Sequence, residues 1–146
     1  MNIQPDFEEF LKLLEKNNVR YMIVGGYAVA FHGYPRFTQD IDIFFLDDDE
    51  NITKIIKVLV EFGFKQQELK AQRFKEKGNI IRFGIEPVRI DLLNEIDGIS
   101  FIDAEKNMVT GKYGRVTVKF IGKAELIKNK QSTKRLKDKA DAEELI

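Results

Sequence analysis

Tyr21-Met22-Ile23-Val24-Gly25-Gly26-Tyr27 and, with thirteen residues between the second glycine and its first acid, Asp40-Ile41-Asp42-Ile43-Phe44-Phe45 decide how this chain reads. An apolar run ends in two glycines. A second apolar run opens with two carboxylates two positions apart. Strand side chains alternate faces, so Asp40 and Asp42 point the same way, roughly 7 Å apart at the backbone, while Ile41 and Ile43 point into a core. Like charges side by side repel unless something positive sits between them. A hard divalent cation with oxygen ligands answers that need. Two glycines just after a strand, opening a helix, let backbone N–H groups approach a phosphate. Metal with phosphate suggests phosphoryl or nucleotidyl transfer.

Each half has a plainer explanation. A Gly-Gly pair also makes a tight strand-to-helix turn, and Asp-x-Asp also makes a solvated strand edge. A third acid sharpens the conjunction: Asp91 stands inside Val88-Arg89-Ile90-Asp91-Leu92-Leu93. An aspartate within a run of branched apolar residues is expensive to bury unless paired or bound to metal. If that strand neighbours the Asp40 strand, three carboxylates converge.

These residues resemble the minimal nucleotidyltransferase branch of the DNA polymerase β-like superfamily. Its signature is an apolar residue, Gly, Gly or Ser, an interval, then Asp-apolar-Asp/Glu-apolar, with a third acid from a later strand. The string from Gly25 to Phe44, including Arg36-Phe37-Thr38-Gln39-Asp40, is similar to a bacterial subgroup linked to toxin–antitoxin or phage-defence systems. So is the tail from Leu126 to Asp141. The resemblance runs from about Val19 onward. It implies two-metal transfer of an NMP from an NTP to a hydroxyl on an RNA, a protein or a small molecule, with Mg2+ or Mn2+. It assigns Asp40, Asp42 and Asp91 to catalysis and metal, and Gly25, Gly26, Arg36, Thr38 and Lys128 to the nucleotide. A toxin–antitoxin partner protein is a second implied role, with catalysis then dispensable. Where some relatives carry Ser, this chain has Gly26, so only backbone would face the phosphate there.

Composition bounds the rest. The 146 residues suit one domain, 1–146. Lysine plus arginine and aspartate plus glutamate number 24 each, which argues against a general nucleic-acid coat but not against a local basic patch. Absence of cysteine excludes disulfides, thiolate zinc and a cysteine nucleophile. No apolar stretch nears the length of a membrane span and the start is unlike a signal peptide, so the expectation is a cytoplasmic protein with no membrane partner.

The element order predicts an α/β (α+β) fold: a nucleotidyltransferase-like mixed sheet flanked by helices, with C-terminal helices. A helix starts at Pro5 and repeats Phe7, Phe10, Leu11 and Leu14. Strands follow at Tyr21 to Val24 and Asp40 to Leu46, around a short helix from Tyr27 to His32. Asp47, Asp48 and Asp49 read as the cap of a helix carrying Ile52, Ile55, Ile56 and Leu59, stopped by Gly63. Phe64 to Leu69, Asn79 to Phe83 and Val88 to Leu93 read as strands, the last two a hairpin around Glu86-Pro87. Phe101 to Lys106 reads as a helical turn. Asn107 to Thr110 and Arg115 to Ile121 pair across Gly111 to Gly114. Ala124 to Lys130 and Lys134 to Leu145 read as helices. His32, the lone histidine, is expected as a packed side chain. The run Lys128, Lys130, Lys134, Arg135, Lys137 and Lys139 is either a patch for a polyanion or a solvated face.

Overall fold

A computed structural model describes residues 3–35, 37–85 and 88–146. Arg36, expected at the nucleotide, and Glu86-Pro87, expected at a hairpin turn, lie outside the described residues.

The alternation seen in the sequence becomes a six-stranded mixed sheet. Its strands are β1 (Tyr21–Val24), β2 (Asp40–Phe45), β3 (Ile80–Ile85), β4 (Val88–Leu93), β5 (Val109–Tyr113) and β6 (Val116–Phe120), in the order β3-β4-β2-β1-β6-β5. β1 lies between antiparallel β2 and parallel β6. β2 runs parallel to β4, which is antiparallel to β3. Helices α1 (Pro5–Lys16), α2 (Gly25–Phe31), α3 (Asp49–Phe62), α4 (Ala71–Lys75), α5 (Phe101–Glu105), α6 (Lys123–Gln131) and α7 (Leu136–Leu145) complete the fold.

One sheet face is packed with phenylalanine. Phe7, Phe10, Leu11 and Leu14 repeat at helical spacing on α1, and all are buried. Phe10 meets Phe62 of α3 and Phe83 of β3 edge to face, with centroids 5.2 and 5.3 Å apart. Ile41 and Ile43 of β2 are 0% and 1% exposed on this side, and Phe45 meets Phe74 of α4. Each such side chain contributes about 1.5–3 kcal/mol by leaving water. On the other face Phe44 packs on Phe101 of α5, and the remaining space, beside α6 and α7, belongs to the acids.

The expected cap of α3 is present: the Asp48 carboxylate accepts from the Asn51 backbone N–H at 2.8 Å, and Gly63 ends the helix at φ 127°. Asp47 pairs with Lys77 and Asp49 with Lys75. Two expectations fail. Phe64 to Leu69 is not a strand; Gln66–Glu68 makes one 3-10 turn and α4 follows. Only its two ends are apolar, so no alternating face exists to bury. The β5–β6 turn is also tighter than expected. Gly111 belongs to β5, where a side chain would collide with the Phe31 ring, and Gly114 takes the turn at φ 59°.

Candidate active site

Parallel pairing of β2 with β4 sets Asp42 directly opposite Asp91 and Asp40 opposite Arg89. The antiparallel β3–β4 pairing then sets Arg82 opposite Asp91. Partners across a ladder share a face, so three acids and two arginines share one. They line a cleft of about 370 Å³ with Gly25, Gly26, Phe37, Thr38, Lys130, Arg135, Lys137, Asp138 and Asp141.

Asp91 is 4% exposed. Its burial is met by arginine: Arg89 Nε donates to Oδ1 at 3.0 Å, and a terminal nitrogen donates to Oδ2 at 3.2 Å. That same nitrogen donates to Asp40 Oδ2 at 2.8 Å. The oxygens of Asp40 and Asp91 are thus no further apart than two hydrogen bonds laid end to end. Arg82 approaches Asp91 at 3.7 Å from the cleft rim. Asp42 is less well served. Burial pushes its carboxyl up to about 6, with the charges of Asp91 and Asp40 adding to the rise and Lys130 and Arg89 opposing it.

Gly25 opens α2 at φ 69°, and a Cβ there would run into the Asp42 carboxylate. This glycine is required twice, for its backbone and for the close approach. A Cβ on Gly26 would sit 2.8 Å from Thr38 Oγ1. The Thr38 hydroxyl therefore fills the space a serine at position 26 would claim.

Lys128 does not join this cleft. It is exposed on α6 and lines a separate cavity with Asp47, Asn94 and Phe101. The lysine of α6 that faces the acids is Lys130, two residues on. It is 9% exposed and its Nζ donates to Asp138 Oδ1 at 2.9 Å, with Asp141 Oδ2 at 3.6 Å. Asp138 and Asp141 share one face of α7, three residues apart. Burial works to raise the Asp138 carboxyl, but Lys130, the Thr133 hydroxyl and Arg135 outweigh it and hold it below its usual range. The network clamps α7 to α6 over the cleft. His32 lies elsewhere, its Nε2 donating to the Ile121 carbonyl at 2.8 Å.

Oxygen-only donors suit a hard divalent cation, and such a cation would offset both the burial and the neighbouring acid charges that raise Asp42. The donor chemistry fits. Among the described residues, no three His, Cys, Asp or Glu side chains stand close enough to hold an ion as they are placed; Asp40 and Asp91 turn toward Arg89 instead. Arg89, Arg82, Lys130 and Phe37 were missed as site residues. The alternation that aligned Asp40 with Asp42 would have aligned Arg89 with Asp91. Lys130 had no comparable signal, because its facing depends on how α6 and α7 pack.

The sequence model of one family, described as aminoglycoside-2''-adenylyltransferase, matches residues 6–107. No curated protein matches the chain. A crystal structure of a "putative nucleotidyltransferase" from Thermotoga maritima is 18% identical, covers 99% of this chain and 92% of its own, and superposes with a TM-score of 0.61. At that identity the likeness speaks for the fold alone. No described helix is long and apolar enough to cross a membrane.

Proposed function

Because the chain belongs to the aminoglycoside-2''-adenylyltransferase family of nucleotidyltransferases, we propose that it moves an NMP from an NTP to an acceptor hydroxyl in the Asp40–Asp42–Asp91 cleft. The observation that carries this reading is the register of β2 on β4, which sets Asp42 against Asp91 beside Gly25. Asp40, Asp42 and Asp91 would hold Mg2+ or Mn2+. When bound, such an ion supplies Lewis-acid stabilisation of the transferring phosphoryl group and its leaving pyrophosphate. Gly25 and Gly26 offer backbone close to the phosphates, with the Thr38 hydroxyl beside them. Asp91 takes the acceptor's proton. Phe37, 77% exposed at the cleft, offers a flat face for the nucleobase.

The family's name suggests one acceptor, an aminoglycoside hydroxyl. The cleft rim argues for a different charge: Arg82 and Arg135 are 55% and 72% exposed there, while Asp42, Asp91, Asp138 and Asp141 lie deeper. A rim of that sign favours a phosphate-bearing acceptor over a polycation. Purified protein incubated with α-labelled NTPs, Mg2+ and, in separate reactions, RNA, protein extract and aminoglycosides should label one acceptor. Asp91→Asn should lower transfer by orders of magnitude while NTP binding persists. Equal transfer by the variant, or no labelled product with any acceptor, would overturn the reading.

A second reading keeps the fold as a partner-binding module of the toxin–antitoxin kind. Leu136, 84% exposed between Arg135 and Lys137, favours it. Charge reversal of Lys134 and Lys137 that abolishes biological effect, alongside a fully effective Asp91→Asn, would establish that reading in place of the first.

A further inference from the structure

Arg89 is mounted on β4 two positions before Asp91, on the same face, and directly opposite Asp40 on β2. One terminal nitrogen serves both Asp40 Oδ2 and Asp91 Oδ2, while Nε serves Asp91 Oδ1. A divalent cation shared by Asp40 and Asp91 would draw on the same oxygen lone pairs. A guanidinium and a dication that draw on the same oxygens at short range repel each other. The Arg89 side chain is 28% exposed and lines the cleft, so its stem has open space to move into. Its planar fork matches phosphate as well as carboxylate.

We infer that Arg89 is an exchangeable counter-cation of the site. It holds Asp40 and Asp91 together before substrate arrives and passes to the triphosphate when nucleotide and metal enter. This rests on the nucleotidyl-transfer reading above and adds an order of binding to it. Metal alone must displace the Arg89 hydrogen bonds to Asp40 and Asp91. Metal arriving with a triphosphate gives Arg89 a new anion. The two ligands therefore help each other, and by linkage each does so equally. Departure of Arg89 also removes both hydrogen bonds it makes to the Asp91 carboxylate.

The test uses metal-stripped protein, Mn2+ titrated by electron paramagnetic resonance, and α,β-methylene-ATP as the nucleotide. Arg89→Gln should bind Mn2+ without nucleotide about tenfold more tightly than wild type, within the ordinary range of site-to-site coupling. The gain in Mn2+ affinity that α,β-methylene-ATP brings should shrink in the variant. A second readout needs only wild-type protein: the 1H–15N signal of Arg89 Nε, identified by its loss in Arg89→Lys, should shift when Mg2+ and α,β-methylene-ATP are added together. Equal Mn2+ affinity of wild type and Arg89→Gln, or an unmoved Nε signal in the ternary complex, overturns the inference and leaves the transfer chemistry standing. No Mn2+ binding by either protein, with nucleotide present, overturns the transfer reading and this inference with it.

Discussion

Asp42 and Asp91 are direct partners across the parallel β2–β4 ladder, two carboxylates from separate segments facing one another on neighbouring strands. Only Asp91 has arginine at hydrogen-bond distance on both its oxygens. Burial, with the charges of Asp91 and Asp40 adding to it, pushes the Asp42 carboxyl up to about 6.

A pH dependence follows for metal-stripped protein. Between about pH 4 and pH 6 the folded chain keeps a proton on Asp42 that the unfolded chain has released, so stability falls as pH rises through that window. The loss reaches about 3 kcal/mol, since each tenfold change in proton affinity is worth roughly 1.4 kcal/mol. Asp42→Asn should remove it, leaving the variant more stable than wild type at pH 7.5 and flattening its own urea midpoint across pH 4–8. Parallel pH profiles would show that Asp42 titrates as an ordinary surface acid. Mg2+ should recover stability in wild type and do so much less in the variant.

Lys130 and Lys128 should behave oppositely. Lys130→Met deprives Asp138 and Asp141, 5% and 6% exposed, of their shared ammonium. Breaking one side of a buried ion pair costs about 3–5 kcal/mol. Lys128→Met, on the exposed side of α6, should stay within about 0.5 kcal/mol of wild type and leave nucleotide affinity intact. Chemical denaturation of both variants checks this; similar midpoints would mean the α6–α7 network is solvated.

Gly26 and Thr38 should be energetically coupled. Gly26→Ala presses a methyl onto Thr38 Oγ1, at a cost of about 1–3 kcal/mol for overpacking. In a Thr38→Ala background the same change should cost about 1 kcal/mol less. Gly25→Ala has no such escape, because its φ is positive and the obstacle is Asp42 itself. A double-mutant cycle that sums to zero would separate the two residues.

Phe37→Ala should weaken nucleotide binding about tenfold, the scale of one lost base-stacking contact, with an unchanged melting temperature, since its ring is largely exposed. Calorimetric titration with α,β-methylene-ATP measures it. An unaltered affinity would remove Phe37 from the base site.

What was legible in the sequence was whatever depends on local period. Ile41 and Ile43 alternating with Asp40 and Asp42, the cap at Asp48 and the stop at Gly63 all follow from spacing along one element. The neighbour relation of β2 and β4 was a condition in the sequence and a pairing in the structure, because strand order is set by crossovers that no local pattern encodes. That Lys130 and not Lys128 lines the acid cleft was not legible for a related reason: α6 has weak amphipathicity, with Leu126 and Lys130 as its buried residues, so its inward face cannot be read from its apolar ones. An aspartate buried in an apolar strand calls for metal or a partner; the strand's own arginine, two residues upstream, is the partner the structure supplies.

The sheet's middle also bears on how this protein comes into being. Ile23 finds its parallel partner in Phe120, so the strand that carries the glycine turn is flanked on both sides only after most of the chain has left the ribosome. Pairings of such long sequence separation are slow to close and leave strand edges open meanwhile. The nascent chain exposes β1 and β2, rich in branched and aromatic residues, well before β6 can pair with β1. Synthesis at low temperature or with chaperone present should therefore raise the yield of folded protein more than any change at the cleft acids.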